Sequence, residues 1–149
     1  MTTDFSPLPE TPLAWSGIHH IALATQELDA TVAFYRDILG VQVSDIYPSR
    51  EGRGRHAIML VDPTNPNSLG LHFFERPNLT TTGSPLLHFA LRLSDSVFAD
   101  QLRKRLHNHA IDVREIPELH SFLFADTNGL LIEVIVPQEQ VISRPSEFS

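Results

Sequence analysis

The chain has 149 residues, 42% of them hydrophobic and 19% charged, the size and balance of one soluble globular domain whose core needs no disulfide or metal staple. It has no cysteine, which removes disulfides, thiolate ligands and a cysteine nucleophile and fits a reducing cytoplasm. A formal net charge of -7 argues against a nucleic-acid surface; no apolar run reaches the roughly 20 residues of a membrane span, and no basic start leads into a signal-like stretch, so a soluble, unsecreted, cytoplasmic protein is expected.

Residues 1–16 are proline-rich without periodicity and read as an extended arm. A buried strand is expected at 18–24, followed by a helix on which Leu28, Val32, Tyr35 and Leu39 recur at helical spacing until Gly40 stops it. Strands at 41–47 and 56–61 flank a glycine-containing turn. Its arginines, Arg50, Arg53 and Arg55, read as a solvated hairpin turn rather than an anion clamp. A Pro- and Asn-rich loop at 62–68 leads to a strand at 69–74, and 76–84 has the composition of a linker.

The order then repeats: a strand at 86–93, a helix at 97–107 with Phe98, Leu102 and Leu106 every four residues, and strands at 111–114, 121–125 and 130–136 before a polar tail from 137 to 149. The repeat is visible in the residues themselves. His20-Ile21-Ala22-Leu23 returns as His88-Phe89-Ala90-Leu91, and superposing the histidines places Phe34 on Leu102 and Ile38 on Leu106. The fold class is therefore α+β, with two tandem βαβββ modules at 17–75 and 85–136.

Polar residues interrupt the apolar strands at His20, His72, His88 and Glu133. An ionised Glu133 buried without a partner costs several kcal/mol, which a cation and imidazoles would compensate. Alternation puts His20 on a face with Ala22 and Ala24, and His88 with Ala90, small residues that leave room before each imidazole. Singly, each histidine also reads as hydrogen-bonded core and the glutamate as solvated; their coincidence at repeat-related positions points to a metal. His19, next to His20, should point to the opposite face and be structural.

Three segments carry a resemblance: Gly17-Ile18-His19-His20-Ile21-Ala22-Leu23, then Ala33-Phe34-Tyr35-Arg36-Asp37 running into Leu39-Gly40, and Phe124-Ala125-Asp126-Thr127-Asn128-Gly129-Leu130-Leu131-Ile132-Glu133. With them the chain resembles, from about Gly17 to Val136, the vicinal oxygen chelate superfamily of glyoxalases, bleomycin resistance proteins and extradiol dioxygenases. The resemblance implies that the modules' curled mixed sheet forms a metal-binding cup. It also implies that His20, His88 and Glu133 are a 2-His-1-carboxylate ligand set. His72 stands where glyoxalases carry Glu or Gln; it is either a fourth ligand or part of the wall, and the departure argues against glyoxalase chemistry.

Such donors suit one divalent ion, Fe(II) by preference, with Mn, Zn or Ni compatible. His120, just before the strand beside that of Glu133, is the candidate acid/base, its other reading being an exposed loop histidine, and Phe74, Arg92 and Phe122 are candidates for substrate contact. The expected function is an extradiol-dioxygenase-like oxygenase chelating vicinal oxygens of a small molecule. A metal-dependent lyase, isomerase or thiol transferase is the alternative, and a metal-free drug-binding protein the third. The family's habit implies a homodimer, with the modules pairing within one chain or across two.

Overall fold

A computed structural model describes residues 4–8, 13, 18–49, 54–78, 80 and 86–138. Most of the N-terminal arm, Arg50 and Arg53, most of the linker and the tail beyond 138 lie outside the described residues. Strand β1 (His20–Thr25) is followed by helix α1 (Leu28–Ala33) and strands β2 (Gln42–Val43), β3 (His56–Leu60) and β4 (Gly70–Glu75). The second module repeats the order with β5 (His88–Arg92), α2 (Val97–Asn108), β6 (Arg114–Ile116), β7 (Ser121–Ala125) and β8 (Leu131–Ile135). Each module builds its own four-stranded mixed sheet, in the orders β1-β4-β3-β2 and β5-β8-β7-β6. The first strand of each module pairs in parallel with the last and has its other edge free of any strand among the described residues.

Three local departures from the sequence pattern have visible causes. Helix α1 passes at Phe34 into a π-helical turn, Phe34–Ile38, in which the Leu39 N–H donates to the Phe34 carbonyl. The widened turn lets Phe34, Tyr35 and Ile38 all be buried. The strand expected at 41–47 is regular only over Gln42–Val43, because the Ser44 hydroxyl accepts the Ile58 N–H in place of a backbone carbonyl. In the second module pairing starts at Arg114 rather than at 111, since Ala110 has φ 56 and the Ile111 N–H still closes α2 on the Leu106 carbonyl.

Alternation gives each sheet one face packed on helices and one open face. Leu71, Phe73, Ala57 and Met59 of the first sheet and Phe122, Phe124, Ile132 and Val134 of the second are buried with Leu28, Val32, Leu102 and Leu106 in one core. The modules are latched through their helix sides. Tyr35 Oη donates to Asp126 Oδ2 at 2.9 Å, Thr25 Oγ1 donates to Asn128 Oδ1 at 3.0 Å, and Arg105 Nη1 donates to the Ile38 carbonyl at 3.2 Å. Burial raises the Asp126 carboxyl above its ordinary value and raises the Tyr35 phenol, whose titration the Asp126 charge opposes further.

Arg55 belongs to this framework rather than to a solvated turn. Its guanidinium meets Glu75 Oε2 at 2.8 Å and Asp29 at 2.9 Å, holding the Glu75 carboxyl below the usual range. Gly54, just before it, has φ +78 and no space for a side chain, a Cβ there falling 2.5 Å from the Glu75 carbonyl oxygen. Among the described residues no helix is long and apolar enough to cross a membrane.

Candidate metal centre

On the open face of the first sheet, His20 lies across from Gly70, and Ala22 across from His72. The two imidazoles stack with centroids 4.0 Å apart and planes at 7°. Gly70 lies directly beneath the pair: a Cβ there would touch His72 Nε2 at 3.4 Å and His20 Cβ at 3.6 Å, so a larger side chain would compete with the stack for the same space. His20 Nδ1 is taken by His19 Nδ1 at 2.9 Å, leaving Nε2 as the nitrogen for a ligand. Burial lowers the His72 pKa, helped by His20, His19 and His56, so this imidazole is held towards its neutral, electron-donating form. Beyond it, Phe74 stacks on His56 at 5.0 Å and 17°, with Tyr47 against His56 at 5.0 Å. A groove of about 350 Å³, lined by Ile18, His19, Ile58, Pro66, Ser68 and His72 among others, adjoins the stack.

On the open face of the second sheet, Ala90 lies across from Glu133 as Ala22 does from His72. His88 Nε2 is 3.7 Å from Glu133 Oε1, while Oε2 accepts a 2.7 Å hydrogen bond from Ser121 Oγ. The Glu133 side chain is 15% exposed and that of His88 46%, an acid set back behind a reachable imidazole. Arg92 is exposed on the same face, two residues beyond Ala90.

Residues 17–134 match the family model of the Glyoxalase/Bleomycin resistance protein/Dioxygenase superfamily. The chain belongs to this superfamily. No protein of curated function matches it by sequence. Among solved structures it is similar to a glyoxalase/dioxygenase from Nostoc punctiforme, at 22% identity and a TM-score of 0.65, over 87% of this chain and 99% of that one. The fosfomycin resistance protein FosX from Listeria monocytogenes, complexed with Mn(II) and sulfate, is similar at 19% identity and TM-score 0.66 over 85% and 97% of the two chains. So is TnmS3, an antibiotic-binding protein from a Streptomyces species, at 19% and 0.62 over 85% and 99%.

Against the ligand set that the superfamily implies, the structure supplies the donors in two halves. Donors about 2.1 Å from a shared ion stand roughly 3 to 3.4 Å apart, so His88 and Glu133, at 3.7 Å, are close to a two-point grip on a cation. His20 contributes an uncommitted nitrogen on the other sheet. Within one chain, however, no three His, Asp or Glu side chains among the described residues converge on a common point. The chemistry of these side chains fits a divalent ion.

Several candidate positions change meaning. Phe122 is fully buried against the helices, with the Arg103 guanidinium 4.6 Å over its ring, and cannot touch a substrate. It pairs with Val134, not Glu133, and so belongs to the helix-covered face. Phe73 and Phe124 are likewise core, whereas the candidate Phe74 stands on an open face. His19 does not point away from His20: β1 begins at His20, so strand alternation does not reach His19 and its ring turns back at 5.2 Å. His120 is exposed in a left-handed conformation, φ 51, at the end of a short 3-10 turn, Pro117–Leu119. No hydrogen bond or ion pair among the described residues ties its ring to the donors. Sequence reasoning missed Ser121 and His56. Both sit two residues from the strand position facing a donor, Leu123 opposite Glu133 and Ile58 opposite His72, and that spacing was the available signal.

Proposed function

We propose that this superfamily member is a divalent-metal-dependent enzyme of extradiol-dioxygenase type, acting in the cytoplasm on a small molecule with vicinal oxygens, and that its metal centre is assembled between two copies of the chain. One observation carries the proposal. The complementary candidate donors lie on edge strands, His20 on β1 and His88 on β5, whose outer edges carry no strand among the described residues, and both side chains are exposed on the open faces. A partner that presents β5 to β1 joins the halves and covers two edges that would otherwise invite unspecific pairing.

In this reading His20 from one copy, with His88 and Glu133 from the other, hold the ion, and His72 is either a fourth donor or the wall beside it. The metal, Fe(II) by preference, supplies Lewis acidity and a template for two neighbouring oxygens. Ala22 and Ala90 leave the space in front of the donors open. Phe74, braced by His56, offers a ring face to a planar substrate, and Arg92 a cation to an anionic substituent. His120 is the proposed proton carrier at the start of β7. A second reading, metal chemistry without O₂ as in a lyase, isomerase or transferase, is favoured by the third imidazole: if His72 ligates, it occupies a position an oxygenase keeps free for O₂.

Complementation tests the assembly. His20→Ala and Glu133→Ala each lack half a site, so neither should bind Fe(II) or Mn(II) tightly. Unfolded and refolded together, they should regain about a quarter of the wild-type metal stoichiometry, the fraction expected from random pairing of a two-fold dimer. A mixture that regains nothing rejects the shared centre. Oxygen uptake by the anaerobically Fe(II)-loaded protein on adding catechols then separates the oxygenase from the second reading, and a wild-type chain that holds no metal is a binding protein instead.

A further inference from the structure

We infer that Ser121 is a positioning residue for Glu133, selecting which carboxylate oxygen is offered to the cation; the inference rests on the metal-centre reading above. Ser121 is only 3% exposed, and a buried hydroxyl is costly unless it is hydrogen-bonded. Its bond goes to Glu133 Oε2 at 2.7 Å, the length of a charge-assisted contact. Ser121 pairs with Ile135 and Leu123 with Glu133, so the hydroxyl reaches the acid diagonally across the open face from the neighbouring strand. That contact occupies Oε2 and holds it towards β7. Oε1 is left on the side of His88 Nε2, at 3.7 Å.

The consequence is a one-oxygen grip. A carboxylate free to rotate can offer both oxygens, one, or neither, whereas Glu133 is held in a single presentation before the ion arrives. The fold alone does not require a hydroxyl here. The corresponding position of the first sheet, opposite Phe74 as Ser121 is opposite Ile135, is His56, whose ring stacks on Phe74. The residue at this position follows the chemistry of its neighbours rather than the backbone.

The test compares Ser121→Ala and Ser121→Thr with wild type in the full chain, titrating Mn(II) by the electron paramagnetic resonance signal of the free ion and recording the visible spectrum of bound Co(II). Ser121→Ala should weaken Mn(II) binding by about 10- to 100-fold, the usual effect of removing a group that orients a ligand, and should alter the Co(II) bands. Ser121→Thr, which keeps the donor, should return affinity to within about threefold and restore the spectrum. Ser121→Ala binding Mn(II) as wild type does, or a loss that Thr leaves uncorrected with Co(II) bands unchanged, overturns the inference. If Ser121→Ala does not fold, as judged by circular dichroism of the metal-free protein, Ser121→Val, set against Ser121→Thr of the same shape, removes the donor without adding a metal ligand and is read by the same two outcomes. A wild-type chain that takes up neither ion overturns the metal-centre reading and this inference with it, whereas normal wild-type binding with an indifferent Ser121→Ala sinks the inference alone.

Discussion

The two open faces share a backbone and differ in chemistry. His72 and Glu133 hold the same place in their sheets, each opposite the alanine two residues after a repeated histidine. Around them the neighbours have diverged together: Gly70 corresponds to Leu131, Phe74 to Ile135 and His56 to Ser121. The first face is a row of rings, with Gly70 beneath the stack of His72 on His20. The second has become a fixed acid beside an imidazole. The repeat thus keeps the strand position and varies the group placed there. One half is nitrogen-rich and the other pairs an imidazole with a carboxylate, and in the proposed shared centre the two would make a heteroleptic site from a repeated unit.

The contrast between open and helix-covered faces gives the largest expected effect. Phe122→Ala should destabilise the protein by about 3 to 5 kcal/mol, the cost of removing a fully buried aromatic ring from a core. Phe74→Ala should cost about 1 kcal/mol and act mainly on ligand affinity, since its ring rests on His56 at an open face. Denaturant unfolding of the two variants reads the difference, and equal losses would erase the distinction between the faces.

Exchanging corresponding residues sharpens the comparison between the halves. Gly70→Leu places a side chain where His72 Nε2 now lies 3.4 Å from the Cβ position, so the stack on His20 should open at a cost of about 1 kcal/mol. Leu131→Gly removes a side chain that is already 43% exposed and should cost about as little as the change in strand propensity, below 1 kcal/mol. Imidazole resonances of the metal-free variants should shift for His20 and His72 in the first case and stay in place in the second.

The smallest effect is the pH response of the metal-free chain. The His72 pKa is lowered in the fold by burial and neighbouring imidazoles, so its contribution to stability is present above the unfolded value near 6.5 and is lost as pH falls through the folded value. His72→Gln should therefore melt less steeply with acid than wild type between about pH 7 and 5, because it carries no proton to bind. Parallel melting curves across that range would remove His72 from the acid response.

Much of the architecture could be read from residue order. The His-x-Ala-Leu phrase marks two strands whose places in their sheets are equivalent, the helical periodicity of Phe34, Ile38, Leu102 and Leu106 marks faces that are indeed buried, and turn residues separate the elements. The candidate donors were legible for the same reason: a histidine or glutamate inside an apolar strand stands out against its neighbours. The phase of β7 was not. Phe122 and Phe124 lie on one face of a strand that is apolar on both faces, so alternation could not say which face the helices cover. Ser121 was equally hidden, since its contact with Glu133 exists only through the antiparallel register of β7 and β8.

Sequence by itself determined the repeat, the α+β class and the residue types able to hold a cation, because these depend on local periodicity and on the cost of burying polar groups. Tertiary structure alone decided that the candidate donors form no group of three among the described residues, that His72 rests on His20, and that a serine hydrogen-bonds the acid. The physical reason is that local sequence sets where a side chain points along its own strand, whereas strand register and the latch between the helix sides set which strands share a space.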